Sequence, residues 1–562
     1  MNVYALTSRE NDCRSCYKCI RVCPTKSISF HDGQASIIPN ECVLCGRCFL
    51  ACPQNCKQIR SDKDKAKELL AKGNCIASVA PSFLSSYKGA SFETMKKALL
   101  ALGFLDAEET AIGATIVKRE YDRLVNSSKQ DIILSTCCHS VNLLVEKHYP
   151  DAMKYLAPIL SPMQAHAKDI KTRHPGSSVI FIGPCISKKN EVDRYDGYND
   201  LALTFLELDE LLRENGLKVE ADPDPKRVEE SLARLFPVEG GILTTMEKGN
   251  SDYEYIAVSG MENCISTIED VLSGKVHHAF IEMSSCSGSC INGPAINENA
   301  RSFASAIIDI KRSAGKKDFK TKDYGGEEIS KTFRNKLLSP RLPSEKEIED
   351  VLRKIGKTSK KDELNCACCG YPTCREKAIA VLQGKANLEM CLPYLMEREK
   401  SFAINVIEES PNGVCVMDES FTLTLANPSL SRILGKPQKE ILGTCIDEYF
   451  DAEIFATALV QKTPIPRKLN LKNGHRVVEA NVAYDEKYHI LIAILHDITT
   501  YVRDRERKAE AARKTAEVTS EVIAKNMRAV QEIAQLLGES TAETKIALTK
   551  LQKSLQDEDD DR

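Results

Sequence analysis

Two cysteine runs near the start of the chain constrain it more than anything that follows. Residues 13 to 24 read Cys-x2-Cys-x2-Cys-x3-Cys-Pro, and residues 42 to 53 repeat the pattern. Three thiolates this close wrap one metal centre corner by corner, and the proline after the fourth cysteine stops the chain from continuing as a helix. The chain holds 23 cysteines in 562 residues. No apolar run approaches the roughly 18 residues that span a bilayer, and Met1 to Asn11 lacks the basic and apolar regions of a secretory signal. These features point to the cytoplasm. Thiols stay reduced there, so dense cysteine at short regular spacing reads as metal ligation rather than disulfides.

The rest of the composition is ordinary. A chain of this length predicts about three to five domains, and 42% hydrophobic with 28% charged residues describes a soluble protein. The formal charge of −3, from 77 basic and 80 acidic residues, is too balanced to predict a nucleic-acid partner or an anionic membrane.

The paired runs resemble the bacterial two-cluster ferredoxin pattern, in which the fourth cysteine of each run ligates the other cluster. That resemblance implies one 4Fe–4S cluster on Cys13, Cys16, Cys19 and Cys52, and a second on Cys42, Cys45, Cys48 and Cys23. Between the runs, Asp32-Gly33 supplies a hairpin turn. Zinc is the alternative ligand, and tandem runs of this kind disfavour it. Cys56 and Cys75 fall outside the pattern and read as packed thiols.

From residue 57 to 343, short apolar runs alternate with amphipathic stretches. Residues 131–134, 179–182 and 279–281 are such runs, each followed within a few residues by cysteine. Ligands on loops at strand ends of an α/β layout converge on one crevice. Three motifs carry a resemblance: Leu134-Ser-Thr-Cys137-Cys138-His139, Gly183-Pro-Cys185-Ile-Ser-Lys188-Lys189-Asn-Glu191, and Glu282-Met-Ser-Ser-Cys286-Ser-Gly-Ser-Cys290. In order and internal spacing they resemble the signature loops of FeFe hydrogenases, over roughly residues 1–340. The resemblance implies an H-cluster, a 4Fe–4S cubane joined to a two-iron subsite with CO, cyanide and a bridging dithiolate. Cys138, Cys185, Cys286 and Cys290 would hold the cubane, with Cys290 bridging to the subsite. Cys137 would exchange a proton with the subsite, and Lys188 would hydrogen-bond a cyanide. Ala80-Pro81-Ser82 and Ser161-Pro162-Met163-Gln164 resemble further lining loops, which adds Ser82 to the expected catalytic set.

Departures from the family pattern are as informative. Gly183 and Ser284 stand where methionines are usual, and His139 replaces a proline. Lys118 and Arg119 occupy positions where the family has acidic residues, so the usual carboxylate relay is disrupted and Glu191 or Glu282 is the expected substitute. Altered packing and proton delivery of this kind predict slow turnover at a retuned site.

Beyond residue 342, Cys366-x2-Cys369-Gly-x3-Cys374-x16-Cys391 resembles a small four-cysteine 4Fe–4S domain, with zinc as the alternative; Cys368 is left over. Residues 401–499 read as strands near 409–417, 421–425, 467–471, 476–482 and 489–495. A short helix starts at Asn427-Pro428 and ends at Gly435, and Asn473-Gly474 turns a hairpin. This order, ending in His496-Asp497-Ile498-Thr499, resembles a PAS domain, with Cys415, Cys445 and His475 as structural residues or ligands. From Tyr501 onward helix formers dominate, and Ile523, Met527, Val530, Ala534, Leu537, Thr541, Thr544, Leu548, Leu551 and Leu555 fall at alternating steps of four and three. That seam predicts a parallel homodimer or helical bundle. Two alternatives are a helix packed on its own chain and a break at Gly538, before Ser540-x-x-Glu543. Asp557 to Asp561 reads as a solvated tail.

The fold expected is multidomain α/β and α+β: a ferredoxin-like domain at 1–60, an α/β H-cluster domain at 61–342, a four-cysteine domain at 343–400, a PAS domain at 401–499 and a helical segment at 500–562. The function expected is reversible H2 oxidation at low turnover. The chain would act as a hydrogen or redox sensor that exchanges electrons with ferredoxin or another redox partner and signals through PAS and the last helix to a separate phosphatase or kinase. The alternatives are a catalytic ferredoxin-linked hydrogenase and a non-catalytic iron–sulfur carrier. Retention of Cys137 and Lys188 weighs against the last.

Overall fold

A computed structural model describes residues 4–9, 12–127, 130–249, 252–296, 302–337, 342–472, 474 and 476–556. The chain divides into two compact units, Met1–Leu395 and Met396–Arg562. Among the described residues no helix is long and apolar enough to cross a membrane.

At the N-terminus each cysteine run ends in a short helix, Lys18–Val22 and Arg47–Ala51. Between them Ile28–His31 and Gln34–Ile37 form the expected hairpin. Asp32 and Gly33 both take positive φ, 49° and 75°, as a two-residue turn matching strand twist requires. The helix Arg47–Ala51 is entered through Gly46 at φ 75°. A Cβ there would lie 2.4 Å from Pro294, so only glycine lets this loop approach the following domain so closely.

That domain contains two parallel sheets. One runs in the order Asp106–Glu109, Cys75–Val79, Ser178–Gly183, Leu201–Thr204; the other in the order Glu254–Ser259, Ala279–Ser284, Ile132–Leu134. The strands Cys75–Val79, Ile132–Leu134 and Ala279–Ser284 are buried along their whole length. Their continuous apolar character therefore reflects cover on both faces. Helices Phe92–Ala101, Pro162–Arg173 and Phe205–Glu214 start at reciprocal capping boxes on Ser91, Ser161 and Thr204, which satisfy two otherwise unpaired donors at each entry. Every signature cysteine follows the carboxyl end of one of these strands. Cys75, at 0% exposure, is the packed thiol expected.

The four-cysteine segment is built onto the N-terminal module. Phe30 donates its backbone N–H to Lys385 O at 2.9 Å, Lys26 Nζ donates to Gly370 O at 3.1 Å, and Arg21 donates to Ala367 O and Cys368 O at 3.3 Å each. Gly370, at φ 92°, sits where a Cβ would come within 2.9 Å of Ile20.

The second unit holds a five-stranded antiparallel sheet. Its order is Leu423–Ala426, Gly413–Asp418, Ile490–Asp497, Val477–Asp485, Ile465–Asn470. Pro428–Leu434 is the short helix expected: Asn427 caps it by accepting from Leu430 N, and Gly435 ends it at φ 72°. Cys415 is wholly buried in the apolar core. Cys445 is half-buried, whereas Asn473, His475 and the acidic tail lie outside the described residues. Thr499–Gln556 is one helix of 58 residues, so Gly538 does not break it. An exposed glycine inside a helix costs only about 1 kcal/mol against alanine, less than losing the helical hydrogen bonds at a break. Along this helix residues 503–553 are exposed.

Candidate functional site

Three loops and two helix starts converge on one cavity of about 120 Å³. Its wall includes Cys137, Cys138 and His139 from the loop after Ile132–Leu134, Cys185 and Lys188 after Ser178–Gly183, and Glu282, Ser284 and Cys290 from the end of Ala279–Ser284 and the turn beyond. Ala80, Pro81 and Ser82 follow Cys75–Val79, and Pro162 with Met163 opens the helix Pro162–Arg173. Burial raises the pKa of Cys185, Cys286 and Cys290, and each lies near enough to Cys138 for the charge of that thiol to raise it further. Thiols so crowded and buried suit a shared metal centre, which would stabilise their deprotonated form where solvent does not.

The polar atoms around them suit an anionic group with small ligands. Ser82 Oγ and His139 Nδ1 are buried on this wall with no hydrogen-bond partner among the described residues. Buried polar atoms are almost always paired, so these two are placed for something that enters the cavity. Lys188 Nζ donates to Cys137 O at 3.2 Å and to Glu191 Oε2 at 2.5 Å, leaving its third N–H for the cavity. The donor set thus fits a cubane with a two-iron subsite: thiols for iron, and an ammonium and a hydroxyl for diatomic ligands.

Glu191 has a different role from Glu282. Its carboxylate is wholly buried between Lys188 and Lys331, 2.5 Å from each. Burial alone would raise its pKa, yet the two ammonium groups hold it well below the usual carboxylate range. It is a fixed counter-charge that aims Lys188. Lys331 also donates to Gln164 at 2.8 Å; it comes from residues outside every motif, and no spacing in the sequence announced it. Glu282 faces the cavity and accepts from Gly240 N and Leu243 N, both at 3.1 Å. Burial pushes its carboxyl up to about 7 against those two donors.

Cys137 carries no expected ligand role. Burial pushes its thiol up to about 12, opposed by the Tyr121 hydroxyl 3.3 Å from Sγ and by Lys188. Tyr121 is wholly buried and was not evident from the motifs. His139 Nε2 pairs with Asn190 Oδ1 at 3.1 Å, and burial holds the ring neutral, its pKa down at about 3. Beside Gly183, the ring of Phe181 fills the space a side chain would take: a Cβ would lie 2.6 Å from it. The same ring lines the cavity. Ser284 lines the cavity together with Met283.

Two smaller cavities sort the N-terminal cysteines as the crossed pattern implies. One is lined by Cys13, Cys16, Cys19 and Cys52, the other by Cys23, Cys42, Cys45 and Cys48. Cys56 touches the first, but its thiol donates to Asp12 O at 3.0 Å. In the third module, Cys369, Cys374 and Cys391 surround the buried ammonium of Lys377, each thiolate countering the fall that burial imposes on it. Cys366 lies near Cys369, and Cys368 is exposed beside Cys366.

Residues 73–294 match the family model of the iron only hydrogenase large subunit, C-terminal domain. Residues 6–53 match a 4Fe-4S dicluster domain, and residues 362–393 match a model for an Fe-S cluster, which favours iron–sulfur over zinc there. Iron hydrogenase 1 of Clostridium pasteurianum is 24% identical over 299 residues, 42% of this chain and 52% of that protein. The chain therefore spans about half the length of this relative. A polyferredoxin-like subunit of an aliphatic sulfonate oxidoreductase from Pyrococcus furiosus is 37% identical over 49 residues, 8% of this chain and 28% of that protein. Among solved structures, a variant of the FeFe hydrogenase HydA1 from Chlamydomonas reinhardtii aligns with TM-score 0.39 and 14% identity, covering 49% of this chain and 99% of that one. The PAS domain of an HTR-like protein from Haloarcula marismortui aligns with TM-score 0.17 and 25% identity, over 18% of this chain and 95% of that one. Behind a 4Fe-4S dicluster domain, the chain thus carries a domain homologous to the large subunit of iron-only hydrogenases.

Proposed function

We propose that this protein interconverts H2 with two protons and two electrons at an H-cluster held by Cys138, Cys185, Cys286 and Cys290, and that it works at low turnover as a sensor of hydrogen or redox state. The observation that carries this reading is the single cavity that joins Cys138, Cys185 and Cys290 to Cys137, Lys188 and Ser82, with Cys286 close enough for the charges of those three thiols to act on it. A cubane alone needs neither the free thiol nor the ammonium, which weighs against a non-catalytic carrier.

When bound, the H-cluster supplies the site for splitting H2 and takes up the electrons. The chain's own residues do the rest. Lys188, held by Glu191, presents an ammonium to an anionic ligand in a low-dielectric pocket, where such a bond is strong. Ser82 Oγ offers a second donor. Cys137 holds or releases a proton at Sγ without being tied to iron. Phe181, Met163, Phe236 and Ile242 line the apolar part of the wall and limit water. Electrons would leave through the clusters of the N-terminal module toward ferredoxin or another redox partner. Gly46 supports this route by bringing the second cysteine run against Ile186 and Pro294, close to the loops of Cys185 and Cys290.

The antiparallel sheet of the second unit, with its capped helix at Asn427, supports a PAS reading. The exposed seam of the last helix supports pairing with a second copy and signalling to a separate kinase or phosphatase. A ligand-dependent output requires the two redox states to differ in their affinity for that partner. Anaerobically matured protein is expected to show infrared bands of bound CO and cyanide, and H2 turnover well below that of a catalytic hydrogenase. Absence of the bands would sink the H2 chemistry, and rapid turnover in both directions would replace the sensor with a catalyst.

A further inference from the structure

Protons must leave this cavity, and the two flanks of Cys137 are built very differently. Behind it lies the helix Ala111–Ser127. Tyr121 packs edge-on against Phe280, ring centroids 5.2 Å apart, with its hydroxyl on Cys137 Sγ. Thr136 N–H donates to that hydroxyl at 2.9 Å, so the tyrosine's own proton points to Cys137 or to Thr136 Oγ1. Thr136 Oγ1 in turn donates to Ala157 O and Ile159 O. The chain of hydrogen bonds ends on backbone carbonyls, which cannot pass a proton on. Further along the same helix, Lys118 is fixed on Asp318 at 2.8 Å, and Arg119 donates to Thr321 Oγ1 at 2.8 Å and to Phe319 O at 3.4 Å. A proton leaving on this side would pass two fixed cations.

On the opposite flank stands Glu282, the one carboxyl among the described residues of the cavity wall. Its partners are backbone N–H groups rather than a cation, so the carboxylate is oriented without being neutralised. Glu239 precedes Gly240, one of those donors; it is exposed, its carboxylate accepts from Ser259 Oγ at 2.7 Å, and it lies near enough for its charge to act on Glu282.

We infer that Glu282 and Glu239 form the proton exit of this site, while Tyr121 closes the flank behind Cys137. The inference rests on the H2 reading above. For each proton released, the S–H bond of Cys137 breaks and an O–H bond forms on Glu282, through water; the proton then passes to the Glu239 carboxylate and to solvent. Two protons leave this way per H2, and the two electrons go to the thiolate-held iron centres. The carboxyl of Glu282, which burial places at about 7, suits such a transfer at neutral pH. The rival on the closed flank is Asp122, pushed up by burial to about 6. It does not reach the cavity wall; Glu247 N donates to it at 3.0 Å and Lys118 lies 4.0 Å away.

The test uses full-length matured protein, with infrared bands of CO and cyanide recorded before H2/D2O isotope exchange is measured. Glu282→Gln should keep the bands and slow exchange by roughly a hundredfold. Glu239→Gln, on the surface and harmless to folding, should slow it by a smaller factor. Asp122→Asn should leave the rate as it is, and Tyr121→Phe should raise the S–H stretching frequency of Cys137. Undiminished exchange in both glutamate variants, or a loss confined to Asp122→Asn, would overturn the exit while leaving the H2 reading intact. Wild-type protein without CO and cyanide bands would overturn both.

Discussion

At the scale of single residues, the site is governed by which charges are paired. Glu191 lies between two buried ammonium groups, and removing it leaves both uncompensated. Glu191→Gln is expected to destabilise the protein by roughly 3–5 kcal/mol, read as a lower denaturation midpoint, whereas Glu191→Asp should lose less. Glu282 behaves in the opposite sense. Its folded-state pKa of about 7 lies above the 4.5 of a free glutamate, so the native state binds the extra proton between those values. Its contribution to stability must then fall as pH rises from 4.5 to 7, by on the order of 3 kcal/mol. Melting curves of wild type and Glu282→Gln should diverge over that window and run parallel above it. At Gly183 the limit is space. Gly183→Met would drive the ring of Phe181 from its place, at a cost of about 1–3 kcal/mol, and the matured variant should show shifted CO and cyanide bands.

At the scale of elements, close approach decides what touches what. The four-cysteine module rests on the N-terminal module through Gly370, whose positive φ and missing Cβ allow contact with Ile20. Gly370→Ala should loosen that contact, seen as faster proteolysis within residues 356–373 at unchanged iron content in residues 1–60. The last helix shows a different balance. The capping box after Gly538 is a genuine start signal, but continuous helical hydrogen bonding outweighs it. Gly538→Ala should raise helicity and stabilise that helix by about 1 kcal/mol, measured by circular dichroism.

At the scale of the whole molecule, the seam from Ile523 to Leu551 keeps large apolar side chains exposed along one helix, a pattern that marks surfaces for pairing with another chain. Removal of residues 500–562 should turn a dimer into a monomer in light scattering and leave the infrared bands in place; a dimer that survives the deletion would refute the seam. What the amino-acid sequence determined by itself was local. Cysteine spacing sorted the clusters, and Asp32-Gly33, Asn427 and Gly435 set their turns and caps, because each depends on atoms a few residues apart. The motifs likewise named Cys137 and Lys188 and the thiols of Cys138, Cys185 and Cys290 that share their cavity. Only the tertiary structure decided that Lys331 locks Glu191, that Tyr121 sits on Cys137, that Phe181 fills the gap beside Gly183 and that Glu282 faces the cavity while Glu191 does not. Those relations join residues from separate strands and helices, and a parallel fold brings such residues together at distances that spacing along the chain does not encode.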